Sequence, residues 1–573
     1  MTKETIKAQA NGRNGKINFD IDVTGNHIDD VKVTQSSETP AIFNQAFGKL
    51  KDNIIKQQSF DVDAISGASI MTKAILDSGK DALESKNITP DSQKVDEEYK
   101  DITLDVDVAV IGSGMAGLMA ACRALSMGKK VVVLEKNGYL GGATILNGSN
   151  VVGTGSKVSK ELFGDEADKD SAERLVKDIT RECRGTNYPM LSNLLADNIG
   201  KAVDFITQFA NLRYQKAETQ TVEHSVDRQI EIPSESSYEL VIKVAKAFEE
   251  KGGQILLDAR VEELNKSKTG KLVSLVAKGK HQTINVNFKS LILAAGGWGA
   301  RDYQAHKTNI PYYGPMTSTG DYFDFAKNMN LVTRNLDWYK VYPHGLEVEP
   351  GIAKLTTYST KEVSDMGAIF VNKAGKRIVN ESAPYTHFRD AIAAQKDKVA
   401  YIVMDQKMWD RFYELMLKYG FTADEVQGFF DLDGKKSPVL VKGDLKTAAD
   451  KAGIDFKTLK ETMDNYAKYV KAGYDSEFGR DPKFLHAYKG DTYYIIEQKL
   501  RFCTTLGGYE TNNKMQLLDT DFNQVDNFYA AGEIIGGANG HDSMPSMMNS
   551  WSYASGFVAG TSAADNTNFN QGA

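Results

Sequence analysis

Between Val106 and Thr144 the chain reads VDVAVIGSGMAGLMAACRALSMGKKVVVLEKNGYLGGAT, and few folds accept residues in that order. Asp107–Ile111 is a short Val/Ile-rich run of the kind found in buried parallel strands. It passes directly into Gly112-Ser113-Gly114-Met115-Ala116-Gly117 and then an Ala/Leu/Met-rich helix to Met127. Gly128 stops that helix, and Val131–Leu134 forms a second buried strand ending on Glu135. A pyrophosphate needs bare backbone N–H groups at a helix N-terminus, and side chains at the glycine positions would block its approach. Glu135 stands 23 residues beyond Gly112, where a carboxylate can accept hydrogen bonds from a ribose. Strand, glycines, helix, strand and acid in register predict an α/β fold with a Rossmann-like dinucleotide-binding domain.

The remaining bounds are broad. A chain of 573 residues carries several cores. Its net charge of −7 argues against nucleic acid or an anionic membrane as partner. The opening MTKETIKAQANGRNGK has no apolar core, and no apolar run is long enough to span a bilayer. Cys122, Cys183 and Cys503 show no disulfide framework, metal spacing or haem-attachment motif. The expectation is a reduced, cytoplasmic protein with no metal and no haem.

Residues 1–85 read as a separate small α+β domain. Ile17, Phe19, Ile21 and Val23 alternate as a strand, Gly25-Asn26 turns into Ile28–Val33, and a helical pattern covers Ile42–Ile55. Asp63-Ala64-Ile65-Ser66-Gly67-Ala68-Ser69 then leads into a helix from about Ile70. Its small residues and free N–H groups suit a phosphate, and Ser66 and Ser69 equally suit helix caps. The DAISGAS segment resembles the flavinylation motif of small FMN-binding domains, which implies FMN held covalently through a phosphoester on Ser69. Residues 86–102 read as a polar linker.

Beyond the first glycine turn come Gly141-Gly142-Ala143-Thr144 and Asn147-Gly148, a mostly helical stretch over 165–251, and strands at Ile255–Leu257, Leu272–Ala277 and Ile284–Phe288. A further buried strand, Leu291-Ile292-Leu293-Ala294-Ala295-Gly296, follows, and then Thr319-Gly320-Asp321, Gly532-Glu533 and a helix near Ser552–Ala564. This series, with the glycine motif, resembles the FAD-binding domain of the fumarate reductase and succinate dehydrogenase flavoproteins, and with the FMN module in front it resembles their soluble bacterial branch. That branch includes fumarate, urocanate, acrylate and hydroxycinnamate reductases. The resemblance implies FAD contacts from Gly112, Ser113, Gly114, Met115, Ala116, Gly117, Glu135, Lys136, Gly141, Gly142, Ala143, Thr144, Asn147, Gly148, Ala295, Gly296, Asp321, Gly532 and Glu533. Asp321 and Glu533 could equally be caps or loop acids. It also implies an FAD-binding domain over 103–340 and 504–573, interrupted by a capping domain at 341–503. No second dinucleotide motif of that quality is present. Electrons are therefore expected to enter through FMN, from NADH directly or from an NAD(P)H:flavin reductase, with a flavin transferase needed to modify Ser69.

Saturating a C=C bond takes hydride on one carbon, a proton on its neighbour, and fixed donors for the developing charge. In Gly375–Asp390 the resemblance implies that Arg389 supplies the proton; Tyr385 and His387 lie in the same segment and are plausible donors, and a surface ion pair is the plain alternative for Arg389. His344 falls where the family has a substrate-facing histidine. The departures lie near the C-terminus. Thr504, before Thr505 and Gly507-Gly508, stands at a carboxylate-binding histidine position, and Ser543 at an arginine position; Lys361 and Ser364 replace a relay glutamate and arginine. With Met544 and Met548 nearby, the pocket suits an apolar or aromatic group with a polar tip, unless those methionines are only core. The expected substrate is an aromatic acrylate such as a hydroxycinnamic acid, with urocanate, fumarate or acrylate as alternatives within the family. A ketosteroid dehydrogenase-like flavoenzyme and a non-catalytic electron-transfer flavoprotein are the readings outside it.

Overall fold

The computed structural model describes residues 3–92, 99–218, 220–233 and 237–569. They form two compact units, one of residues 1–298, 315–338 and 505–573, the other of residues 299–314 and 339–504. The sequence placed 299–314 with the FAD-binding domain; it belongs instead with the inserted unit.

In the first unit, β1 (Lys3–Asn11), β2 (Lys16–Thr24) and β3 (His27–Ser36) form an antiparallel sheet backed by α1 (Pro40–Gln57) and α2 (Ser69–Ser85). The sequence missed β1 because Ile6 and Ala10 are its only fully buried residues. This small domain belongs to the first compact unit, and its DAISGAS loop is bonded to the turn after Glu135: Gly138 N donates to Ser66 O at 3.0 Å. Gln45 adds a pair of bonds to the backbone of Leu140.

The expected linker ends early. Residues 93–98 lie outside the described residues, and β4 already begins at Lys100 and runs to Ile111. β4 is followed by α3 (Met115–Ser126) and β5 (Val131–Leu134). β6 (Gln254–Leu256), β7 (Arg260–Lys266), β8 (Leu272–Gly279) and β9 (Gln282–Leu293) come next, and the chain returns as β10 (Gln516–Leu518) and β11 (Gln524–Ala530). Strand order is β7-β8-β9-β4-β5-β6, with β11 beside the end of β9 and β10 beside β11. β4, β5, β6, β9 and β11 are parallel where they meet; β7 and β8 form an antiparallel extension. The two strands expected between Ile284 and Leu293 are one, because β9 pairs along β4 from Gln282 to Leu293. Beneath the sheet α3 packs on α4 (Met547–Phe569), which starts five residues before the expected Ser552. Glycines let the two helices approach closely: a Cβ at Gly556 would come within 2.5 Å of Ala116 O, and one at Gly560 within 2.4 Å of Ala120 O.

The second unit is built on an antiparallel sheet of Ile369–Val371, Val399–Asp405, Tyr493–Lys499 and Leu440–Gly443, in that order. Its central strand is apolar without alternation because both faces are covered: Ala400, Ile402 and Met404 enter one core, Tyr401 and Val403 the other. A buried network of Arg377, Glu381, Asp475 and Arg480 fixes the turn leading to the helix Tyr385–Ala393.

Candidate functional site

The parallel strands of the first unit end along one edge, and there the chain leaves a cleft. Gly112 has φ +106°, open to glycine alone among unstrained residues, and a Cβ on it would come within 2.3 Å of Ala294 O. A Cβ on Gly117 would lie 2.0 Å from Gly112 O, so this glycine lets α3 start against the turn. Gly114 is the cap residue of α3 with no side-chain cap; Met115 N donates to Thr144 Oγ1 at 3.0 Å, and Gly114, Met115 and Ala116 line the cleft.

Of the residues expected to hold FAD, Gly112, Ser113, Gly114, Met115, Ala116, Glu135, Lys136, Gly142, Ala143, Thr144, Ala295, Gly296, Asp321 and Glu533 line this cleft. Glu135 accepts from Ser113 N (3.1 Å), Ser113 Oγ (2.6 Å) and Asn137 N (2.9 Å), so it also braces the glycine turn. Asp321 is not a side-chain cap. It accepts from Thr319 Oγ1 at 2.6 Å and pairs with Lys136 and Arg260, each at 3.1 Å. Burial opposes its ionisation, but the Thr319 hydroxyl and Lys136 outweigh burial and hold its carboxyl below the usual range.

Gly117, Gly141, Asn147, Gly148 and Gly532 are outside the lining. Gly141 N donates to Ser113 Oγ, Asn147 is bonded to Asn549 of α4, and Gly532 O accepts from Trp551 Nε1; these three support the wall. Gly148 is exposed. Sequence reasoning missed Arg260, Thr317, Ser318 and Phe325, which line the cleft from separate segments without a contiguous motif.

Glu533 carries the main electrostatic oddity. Burial pushes its carboxyl up to about 7, against hydrogen bonds from Thr505 N (2.9 Å) and Thr505 Oγ1 (3.0 Å). An acid whose folded pKa exceeds its unfolded value destabilises the fold as pH rises. The penalty is absent below about pH 4.5, grows through the interval, and is complete above about pH 7. It amounts to roughly 3 kcal/mol. Flavin-free protein should therefore melt at lower temperature at pH 8 than at pH 5, and Glu533→Gln should remove that part of the slope. Parallel melting curves of both proteins across this range provide the check.

Thr505, expected beside substrate, is fully buried and serves Glu533. Ser543 and Met544, expected to face a ligand, are 1% and 3% exposed and packed in the interior, since the turn after Gly540 folds inward. Met548 instead lines a small cavity with Asn539 and Trp551.

In the second unit, Tyr385 and Arg389 are one helical turn apart on one face, whereas His387 lies on the opposite face and is exposed. That placement separates His387 from the other two. Arg389 pairs with Asp390 through Nη2 at 2.7 Å and Nε at 3.0 Å. His344 is buried against Phe370 and Phe388, and burial, then Arg501, lowers its pKa to about 3, so it is neutral. Thr504 Oγ1 lies 3.1 Å from Cys503 Sγ. Tyr342 stacks on Tyr385, ring centroids 5.7 Å apart, and contributes an aromatic wall that the sequence reading missed.

Ser69 opens α2 and is exposed; the cap residue is Ala68, and neither Ser66 nor Ser69 caps the helix. The Ser69 hydroxyl has no hydrogen-bond partner among the described residues, which suits an ester.

Over residues 107–547 the sequence matches the FAD binding domain family. The chain belongs to that family. Residues 12–84 match the FMN-binding domain family. This flavoprotein is 27% identical to the urocanate reductase of Eggerthella lenta over 97% of its own length and 91% of that protein's. It is 21% identical to the vinyl phenol reductase of Lactiplantibacillus plantarum over 80% of this chain and 97% of that one. Among solved structures, the open conformation of a flavocytochrome c3 fumarate reductase aligns with a TM-score of 0.63 and 25% identity, covering 81% of this chain and 79% of that one. The glycine cradle, the helix N-terminus and the polar rim at Glu135 and Asp321 fit FAD, and the chain is a flavin-dependent oxidoreductase with FAD- and FMN-binding domains. Among the described residues no helix is long and apolar enough to cross a membrane.

Proposed function

We propose that this flavoprotein saturates the C=C bond of an aromatic 2-enoate, such as a hydroxycinnamic acid. FAD, when bound, supplies hydride equivalents from N5. The chain's own part is to hold the acid, exclude water and deliver a proton from Arg389 to the carbon next to the one that takes hydride. Asp390, less buried than Arg389, would return that proton from solvent. Arginine is a poor acid on its intrinsic pKa, and the assignment rests on the resemblance of this segment to the family. Tyr385, on the same helix face, is the alternative donor, and His344, neutral and enclosed by phenylalanines, would face the substrate. What supports the substrate class is the tyrosine wall of Tyr342 and Tyr385 in the inserted unit, together with Thr504 in place of a carboxylate-binding histidine. A second carboxylate on the substrate would lack its anchor there. Urocanate, also an aromatic mono-enoate, is the second reading, favoured by similarity to a urocanate reductase along almost the whole chain.

Electrons would enter through FMN on Ser69 from NADH, or through a separate flavin reductase, in a cytoplasmic setting. Ser69→Ala should abolish flavin that survives denaturation while leaving FAD bound; mass spectrometry of the denatured chain, made beside a flavin transferase, reads this directly. The reaction itself is tested by anaerobic reoxidation of the reduced protein with fumarate, urocanate, acrylate, cinnamate and p-coumarate. Fast reoxidation by the cinnamates with little by fumarate is expected. Fast reoxidation by urocanate alone would favour the second reading, and a silent panel would defeat both.

A further inference from the structure

Four arginines are buried among the described residues, and three of them have acids. Arg228 pairs with Asp170 and Asp178, Arg377 with Glu381 and Asp475, and Arg480 with Glu381. Arg501 is 0% exposed and has no carboxylate partner among the described residues. A guanidinium taken from water without an anion is costly, and natural interiors almost always neutralise one.

The surroundings show what kind of anion is wanting. Arg501 Cζ lies over two aromatic rings, 4.0 Å from the centre of Tyr313 and 4.9 Å from that of Tyr342. Nε donates to His344 O and Nη2 to Thr357 Oγ1 at 2.7 Å, whereas Nη1 has no hydrogen-bond partner among the described residues. Both ring nitrogens of His344 are likewise buried and without a hydrogen-bond partner among the described residues. The chain is shaped around the guanidinium: a Cβ on Gly345 would lie 2.2 Å from Arg501 Cδ. A vacant donor edge, one uncompensated positive charge and aromatic flanks match one planar carboxylate on an aromatic body.

We propose that Arg501, flanked by Tyr313 and Tyr342, binds the carboxylate of the substrate and so sets the preference for acids over neutral alkenes. This rests on the enoate-reductase reading, and it gives the substrate's single carboxylate the anchor that Thr504 and Ser543 do not provide. The site lies wholly within the inserted unit.

The test compares 3-phenylpropionate with 3-phenylpropionamide by calorimetric titration of the oxidised, flavin-loaded full chain, and cinnamate with cinnamamide in turnover. Wild type should bind the acid at least ~10-fold more tightly than the amide, and Arg501→Met should bring the ratio to about one, the loss of a charge-assisted bond. Amide binding and FAD content should hold. An unchanged acid-to-amide ratio, or equal losses for both ligands, would overturn the proposal. Should Arg501→Met fail to retain FAD, Thr357→Val removes the Nη2 bond with little change of shape. It should lower the acid-to-amide ratio about 3-fold, and an unaltered ratio would overturn the site. Arg501-dependent acid binding by a protein that reduces no enoate would uphold the anion site and defeat the reductase reading. Reduction of cinnamate with its acid preference intact in Arg501→Met would do the reverse.

Discussion

Arg389→Ala is expected to lower enoate turnover by at least ~10³-fold while FAD and FMN stay bound, as befits a donor acting only in the chemical step. Arg389 lies on a short helix whose approach is held by the buried Arg377–Glu381 and Arg377–Asp475 pairs, so removal of its side chain leaves the segment anchored. Its loss leaves Asp390 without the guanidinium, but that carboxylate is the more exposed partner and can be solvated. Stopped-flow reoxidation separates the alternatives. A variant that binds product normally and whose reduced flavin persists with enoate present has lost its acid. Undiminished turnover would transfer the role to Tyr385, which shares the helix face, rather than to His387, which does not.

Gly117→Ala is expected to have a comparable effect by a different route. The added methyl would lie 2.0 Å from Gly112 O, a backbone atom that cannot step aside cheaply. Overpacking of this kind costs about 1–3 kcal/mol where the surroundings can adjust. Here the adjustment moves the start of α3 away from the glycine turn that should receive the pyrophosphate. The purified variant should carry less than about one-tenth of the wild-type FAD and melt several degrees lower. The flavin-to-protein absorbance ratio after gel filtration, with a melting curve, reads both. Full flavin occupancy would mean that α3 can shift without spoiling the turn.

The sequence was legible where chemistry is contiguous. Gly112 to Gly117 and Glu135 belong to one strand–turn–helix–strand unit, and local periodicity sufficed to place them. β7 was opaque because RVEELNK buries only Val261 fully, so a strand that brings Arg260 to the cleft read as surface. Arg501 was opaque for the opposite reason: its meaning comes from the missing acid, and an absent partner has no signature in one dimension. The Ser543–Met544 segment misled because flanking glycines suggest an exposed loop, whereas its side chains turn into the core. His387 was grouped with Arg389 by nearness in sequence, and helical geometry parts them.

The glycine-faced contact of α3 with α4 bears on how the protein is made. Emerging from the ribosome, the dinucleotide turn precedes its own supporting helix by more than 400 residues. Throughout that interval Ala116 and Ala120 lack the surface they are shaped to meet. The inserted unit, whose sheet joins segments between 369 and 499, can complete its own core before that helix exists. The flavin-binding half is therefore the late step of assembly, governed by slow, long-range closure. Free FAD present during synthesis would act on this step, as a ligand that captures the site only once the last helix has docked.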